Sequence, residues 1–342
     1  MRSHLLAFTV ALSPSMVAAE PLDVVASFSI LADMVEQVGG DQVDVTSLVG
    51  PGGDAHVYEP TPSDVVAVSG ADLVVVNGLG FEGFMSRLIE ASETQAPIVT
   101  ATSGIDVLET ASHDSDHHDD DDDHDGHDHA SHDDHSHDDH GHDDHAHGDQ
   151  DDHGHDDHAH DDHDHGPEDP HAWQSLNAAQ IYVQNIAHAL CDISSENCAL
   201  FEANAASYVD QLNELEAKWR AAIDLIPQDQ RIVITSHDAF SYLARDFDLE
   251  MLTVQGVSTN SEASAADVAA LIDEIRTTGA KALFVENISD PRLLEQIAEE
   301  TGLTVSGTLY SGALEADGVA STYLGMMEAN LHAISEALLA TN

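Results

Sequence analysis

Two series of short, nearly all-apolar β-rich runs, each run separated from the next by a stretch of helical periodicity, constrain this chain more than any other feature. A strand with apolar residues on both faces must be covered on both faces, and helices placed between such strands give a parallel sheet. The first series predicts strands over residues 23–28, 43–49, 72–77 and 97–100, with helices over 30–38, 63–68 (capped by Ser63) and 81–92. The second predicts strands over 231–235, 251–255, 282–285 and 304–308, with helices over 239–245, 265–277, 291–300 and 322–339. Between the series lie helices over 177–190 and 199–225, the second unusually long and bounded by Pro227. In that second helix Tyr208, Leu212, Leu215 and Trp219 recur at helical spacing, so it should pack along its length and join two lobes. The fold class is α/β: two (βα)4-type lobes with parallel sheets joined by one long rigid helix. The division runs 20–176 for the first lobe, 177–227 for the connecting helices and 228–342 for the second. Ligands of such sheets sit beyond the carboxyl ends of the strands and between domains, which places a site in the cleft between the lobes.

Charge narrows the partners. The chain has 9 Lys and Arg against 65 Asp and Glu, a formal net charge of -56, so phosphate backbones and anionic lipid surfaces repel it and nucleic acid is excluded. Gly50-Pro51-Gly52-Gly53 has neither dinucleotide spacing nor the Lys-Ser/Thr of a phosphate loop and reads as a turn. A Gly-x-Ser-x-Gly nucleophile elbow is absent as well. Residues 1–19 combine Arg2, an apolar stretch and Val17-Ala18-Ala19, the pattern of a secretory signal cut after Ala19, and no Cys follows that would take a lipid. The expected compartment is the periplasm. Cys191 and Cys198 are the only cysteines, and in an oxidising compartment the pair is expected to form a disulfide stapling one helix to the next.

Outside the signal and one low-complexity segment, five histidines remain: His56, His171, His188, His237 and His332. His56 lies in a Gly/Pro-rich loop after the 43–49 strand, His237 follows the run Arg231-Ile-Val-Ile-Thr235, and His171 sits in Asp169-Pro170-His171-Ala172-Trp173. Three imidazoles at strand or lobe ends suit Zn²⁺, Cu²⁺ or Ni²⁺ better than oxygen-loving ions. His188 and His332 fall within helices and read as helix-surface residues.

The stretches GPGGDAHVYEPTPSD, DPHAW, TSHDAF, LFVEN and GTLYSGAL occur in this order. Together they resemble the metal-specific solute-binding proteins of ABC transporters, the ZnuA-like cluster (cluster A-I) with its zinc, manganese and adhesin-type members. The resemblance spans the mature chain apart from the low-complexity segment. It implies two α/β lobes bridged by a rigid long helix with one Zn²⁺ in the cleft, and it places the first three ligands on His56, His171 and His237. Histidine at the third position marks the zinc subgroup. A permease and its ATPase are the implied partners, a periplasmic zinc chaperone is an additional candidate, and the protein is expected to be a monomer. The fourth position departs from the family: Gly312 stands where many members carry Asp, and Ala55 stands where some zinc members carry Glu. Water is the preferred fourth ligand, with a His of the low-complexity segment, Glu59, Asp238, Glu286 and Asp317 as other candidates.

Residues 113–165 hold 23 Asp and 19 His with no Lys or Arg. Its His-Asp-Asp-His repeats lack hydrophobic residues and cannot bury a core, so the segment is expected to be disordered, and histidine at this density points to additional weakly held metal ions. It could raise the Zn²⁺ concentration beside the cleft, weakening as pH falls below about 6.5 where imidazoles protonate. Three functions compete: zinc capture for a permease, a zinc buffer or sensor uncoupled from transport, and a zinc hydrolase using an open fourth position.

Overall fold

Four parallel strands build each of two sheets in the computed structural model, which describes residues 20–110 and 168–340. The signal segment 1–19 and the His/Asp-rich segment 113–165 lie outside the described residues. In the first sheet β1 (Leu22–Phe28), β2 (Val43–Val49), β3 (Leu73–Val76) and β4 (Ile98–Thr100) take the order β2-β1-β3-β4. Its register sets Leu22 against Val43, Val24 against Leu73 and Val74 against Ile98. In the second, β5 (Ile232–His237), β6 (Glu250–Gln255), β7 (Ala282–Glu286) and β8 (Val305–Leu309) repeat the same order as β6-β5-β7-β8. Every residue of β3 and β5 is buried, as the continuous apolar runs require. Each lobe therefore reverses strand order beside its first strand, where an open α/β sheet forms a crevice at its carboxyl edge.

The helices are α1 (Ser29–Gly39), α2 (Pro62–Gly70) and α3 (Met85–Ser92) in the first lobe, and α4 (Leu176–Ile193) and α5 (Cys198–Ile223) between the lobes. The second lobe carries α6 (Ser241–Phe247), α7 (Ala265–Thr278), α8 (Arg292–Thr301) and α9 (Tyr323–Ala340). Two starts differ from the sequence expectation. The cap of α2 is Thr61, not Ser63, because Pro62 fits the first helical position and Asp64 reaches back to the Thr61 backbone in a capping box. The helix expected from residue 81 begins at Met85, because Gly78, Leu79 and Gly80 all take positive φ and turn the chain first. At Gly78 (φ 91°) a Cβ would lie 2.5 Å from Thr100 Cγ2, so only glycine fits.

The 26-residue α5 spans about 39 Å at 1.5 Å per residue. Its Tyr208, Leu212, Leu215 and Trp219 are all buried, as their spacing implies. Near its start Asn204 donates to the Val38 carbonyl (2.9 Å) and Tyr208 to Asp33 (3.4 Å), both on α1. Near its end Trp219 stacks on Phe247 of α6 with centroids 5.0 Å apart. The helix thus holds to the first lobe at one end and the second at the other. One core runs continuously from β1 to α9 through α4 and α5, while a smaller cluster of Ile234, Leu252, Leu271, Leu283 and Ile297 fills the second lobe's other face. Cys191 and Cys198 form a disulfide across the α4–α5 turn, matching the expected staple.

Because Trp219 is fully buried where α5 meets the second lobe, Trp219→Ala should cost about 3–5 kcal/mol, as large-to-small core changes do. Urea denaturation of the metal-free protein checks this, and a loss below about 1 kcal/mol would mean that α5 does not bind the lobes as described.

Candidate metal centre

Three histidines far apart in sequence converge at the carboxyl edges of the sheets. His56 sits on a 3₁₀ turn (Ala55–Val57) after β2, where Asp54 Oδ1 accepts from the His56 backbone N–H at 2.9 Å. His237 is the last residue of β5, and its backbone N–H donates to Glu286 Oε1 at 3.0 Å. His171 precedes a second 3₁₀ turn (Ala172–Gln174). Its position is fixed by Asn77, which donates to the Pro170 carbonyl (2.9 Å), and by Tyr242, which donates to the Asp169 carbonyl (3.0 Å). One ligand-capable nitrogen from each of the three lies within 4.8 Å of the others. His171 and His237 are fully buried and His56 is half-buried. His188 and His332 lie exposed on α4 and α9, as the sequence suggests.

Two carboxylates fix which ring nitrogen faces the cluster. Asp169 Oδ1 lies 2.8 Å from His171 Nδ1, and Glu286 Oε2 lies 2.6 Å from His237 Nδ1. Each leaves Nε2 as the inward nitrogen, the arrangement by which a carboxylate sets the tautomer and basicity of a metal-binding imidazole. His237 Nε2 is buried without a hydrogen-bond partner, a cost a bound cation would remove. His56 Nε2 and His171 Nε2 stand 3.2 Å apart, close to the edge of about 3.3 Å between two imidazoles on one tetrahedral Zn²⁺. Phe81 packs edge-on against His56 at 4.9 Å and tilts against Trp173 at 4.7 Å, giving the site an apolar wall.

Among the described residues no carboxylate joins this group of converging ligand atoms. Glu286, one of the sequence candidates for a fourth ligand, braces His237 instead, its Oε1 accepting from Ser236 N (3.0 Å) and Ser236 Oγ (2.5 Å). Asp238 accepts from Ser241 at 2.5 Å, and Glu59 and Asp317 are exposed. Gly312 is buried, and a Cβ there would come within 3.1 Å of Ile288 Cδ1, so an Asp would require Ile288 to shift. Sequence reasoning missed Asp169 and Asp54 as parts of the site. The signal for Asp169 was its place two residues before His171. Asp54 also accepts from Thr259 (2.6 Å), tying the His56 turn to the loop after β6. A cavity of about 480 Å³ beside that turn is lined from both lobes, by Asp54 and Val57 and by Ser236, Thr259 and Ser289.

Comparison with known proteins identifies the family. Residues 24–337 match the family described as zinc-uptake complex component A, periplasmic. The chain belongs to this family. It is 28% identical over 328 residues to the iron ABC transporter substrate-binding lipoprotein MtsA of Streptococcus pyogenes, covering 93% of this chain and 89% of that one. The manganese-binding lipoprotein MntA of Halalkalibacterium halodurans is 26% identical over 313 residues, covering 91% and 87%. Among solved structures, the periplasmic zinc binding protein TroA from Treponema pallidum superposes with a TM-score of 0.74 at 26% identity, covering 94% of this chain and 99% of that one. Members of the zinc-uptake component A family are binding proteins, and this chain is not an enzyme, which removes the hydrolase alternative.

Beside the histidine cluster His237 and Glu286 form a buried pair. Burial alone disfavours the His237 imidazolium, but Glu286, with Asp54 and Asp238, outweighs it and raises the imidazole above its ordinary value. Burial likewise opposes the charge of Glu286, yet His237 and the hydrogen bonds from Ser236 and His237 bring its pKa down to about 2. The raised His237 stabilises the fold below the unfolded imidazole value of 6.5, an effect lost as pH rises through its folded value. The lowered Glu286 stabilises it above the unfolded value of 4.5, an effect lost as pH falls through about 2. The pair is therefore most stabilising between these unfolded values, in mildly acid solution.

A metal ion must displace the His237 proton, so affinity should climb with pH by about tenfold per unit while that imidazole titrates. Competition titrations from about pH 5.5 to 8 check this, and a pH-independent affinity would contradict the buried pair. Glu286→Gln and Asp169→Asn should each weaken metal binding about 10- to 100-fold, the usual loss on removing such a brace. Unchanged affinity in either variant would show that its carboxylate does not orient the imidazole.

Proposed function

We propose that this chain captures Zn²⁺ outside the cytoplasm, holds it on His56, His171 and His237, and delivers it to a membrane permease driven by a cytoplasmic ATPase. The observation that carries the reading is the convergence of three imidazole nitrogens, two of them aimed inward by Asp169 and Glu286. Family relatives are named for iron, manganese and zinc, so membership alone does not choose the ion. The donor set does. Three imidazoles without a converging carboxylate favour Zn²⁺ over Mn²⁺, which prefers oxygen ligands and larger coordination numbers. A water molecule is the fourth ligand in this reading, as in other open three-histidine zinc sites.

The His/Asp-rich segment supplies further, weaker sites that raise the local Zn²⁺ concentration. Its flanks support a role beside the cleft: Glu109 pairs with Glu168 in an antiparallel bridge, and Asp169 N donates to the Leu108 carbonyl at 2.8 Å. The chain therefore leaves and returns next to the carboxylate that orients His171. The exported reading rests on the signal pattern of residues 1–19, with the mature protein free in the periplasm rather than held by a lipid. The density of histidine in residues 113–165 also favours a second reading, a zinc buffer that never docks a transporter. Zinc uptake by a reconstituted permease separates the two, since a buffer would not stimulate it.

The test of the site uses protein lacking residues 113–165, alone and with His56, His171 and His237 changed to Ala. In competition with a chelating indicator the first protein should bind one Zn²⁺ with a preference over Mn²⁺ on the order of 100-fold, and the second should bind none tightly. Equal affinity for Mn²⁺ would overturn the zinc assignment, and tight binding that survives the triple change would overturn the site.

A further inference from the structure

The geometry points to a second metal site, hidden by the disulfide, at the hairpin between α4 and α5. We infer that reduction of Cys191–Cys198 creates a site for a thiophilic divalent cation such as Zn²⁺, with Cys191, Cys198, Glu202 and His188 as ligands.

The placement follows from helix geometry. The two sulfurs and a carboxylate oxygen of Glu202 lie within 4.8 Å of one another, and with the cleft histidines this is one of two such groups among the described residues. Glu202 stands four residues after Cys198 on α5, and His188 three residues before Cys191 on α4, so each pair shares a helix face. His188 and Glu202 line the same groove between the two helices. Two thiolates, one imidazole and one carboxylate are a tetrahedral Zn²⁺ donor set. Cys198 is the first residue of α5, where the helix dipole favours the thiolate form that binds metal. Both cysteines are half-buried, and His188 and Glu202 are exposed, so a reductant and a cation can reach them.

The chemistry balances as two steps. A dithiol reductant transfers two electrons and two protons to the disulfide, giving two Cys thiols while its own sulfurs join in a disulfide. The cation then displaces the two thiol protons to solvent and forms two metal–sulfur bonds. The α4–α5 turn is thereby cross-linked in either redox state, by sulfur when oxidised and by metal when reduced. The site shares no ligand with the cleft and stands whether or not that site holds zinc.

Cobalt(II) titration of the full chain tests this, because thiolate-to-cobalt charge transfer in the near ultraviolet reports sulfur ligands and is blind to cobalt on imidazoles and carboxylates. After treatment with a phosphine reductant, with two free thiols counted, the band should grow with added cobalt and saturate at the intensity of a single two-thiolate cobalt site. It should be absent from the oxidised protein and from the Cys191→Ser/Cys198→Ser variant. Glu202→Gln and His188→Ala should each weaken the affinity read from the band by at least about tenfold, the loss that even outer-shell partners produce. Circular dichroism of the reduced protein checks that the helices persist. No band in fully reduced protein, with helices intact or lost, overturns the site. A band whose affinity is untouched by both Glu202→Gln and His188→Ala overturns the four-ligand assignment.

Discussion

A divalent cation inside a protein is tolerable only where its charge is matched, and the matching here comes from two carboxylates that do not converge with the ligand atoms. Asp169 and Glu286 each lie against the outer nitrogen of a buried histidine. In the proposed site, three neutral imidazoles and a dication would leave two positive charges for these carboxylates to offset at one remove. Glu286 favours the protonated form of His237, and His237 in turn favours the charged form of Glu286.

The fold supplies that arrangement through a repeated device. In each sheet the strand order reverses beside the first strand, and at each reversal a buried glutamate takes hydrogen bonds from a serine near that strand's end. Glu286 accepts from Ser236 in the second lobe, and Glu82 accepts from Ser27 Oγ (2.5 Å) and Asn77 N (2.6 Å) in the first. Asn77 in turn donates to the Pro170 carbonyl and accepts from Tyr182, so the first glutamate acts on His171 through the chain. The long α5 keeps the two crevices facing by anchoring at α1 with Asn204 and Tyr208 and at α6 with Trp219. A shared core through α4 and α5 makes large independent motion of the lobes costly, since it would expose buried apolar surface.

The strands, the long helix and the three converging histidines were legible in the sequence because each rests on a local pattern: apolar runs, a 3.6-residue period, and histidine just past a strand. The roles of Asp169 and Glu286 were not, because they depend on side-chain direction and on which strands pair. Glu286 stood among the possible ligands, yet the pairing of Val233 with Ala282 and Ile234 with Leu283 brings it alongside His237, on the nitrogen facing away from the cluster. The cap at Thr61 and the late start of α3 were missed where proline and positive-φ residues overrode the apolar period. The departure at Gly312 was visible in the sequence, but its surroundings were not: a Cβ there would meet the tip of Ile288, which would have to give slightly.

The central claim is that three imidazoles, and no protein carboxylate, bind the cation directly. X-ray absorption at the zinc edge, on protein lacking residues 113–165 and carrying one Zn²⁺, tests it most directly, because imidazole rings add a multiple-scattering signature that carboxylates and water lack. Three imidazole nitrogens and one oxygen from water at about 2.0–2.1 Å are expected, unchanged in Glu286→Gln protein saturated with zinc. Fewer than three imidazoles, or an oxygen signal lost with Glu286, would place a protein carboxylate on the metal and contradict it.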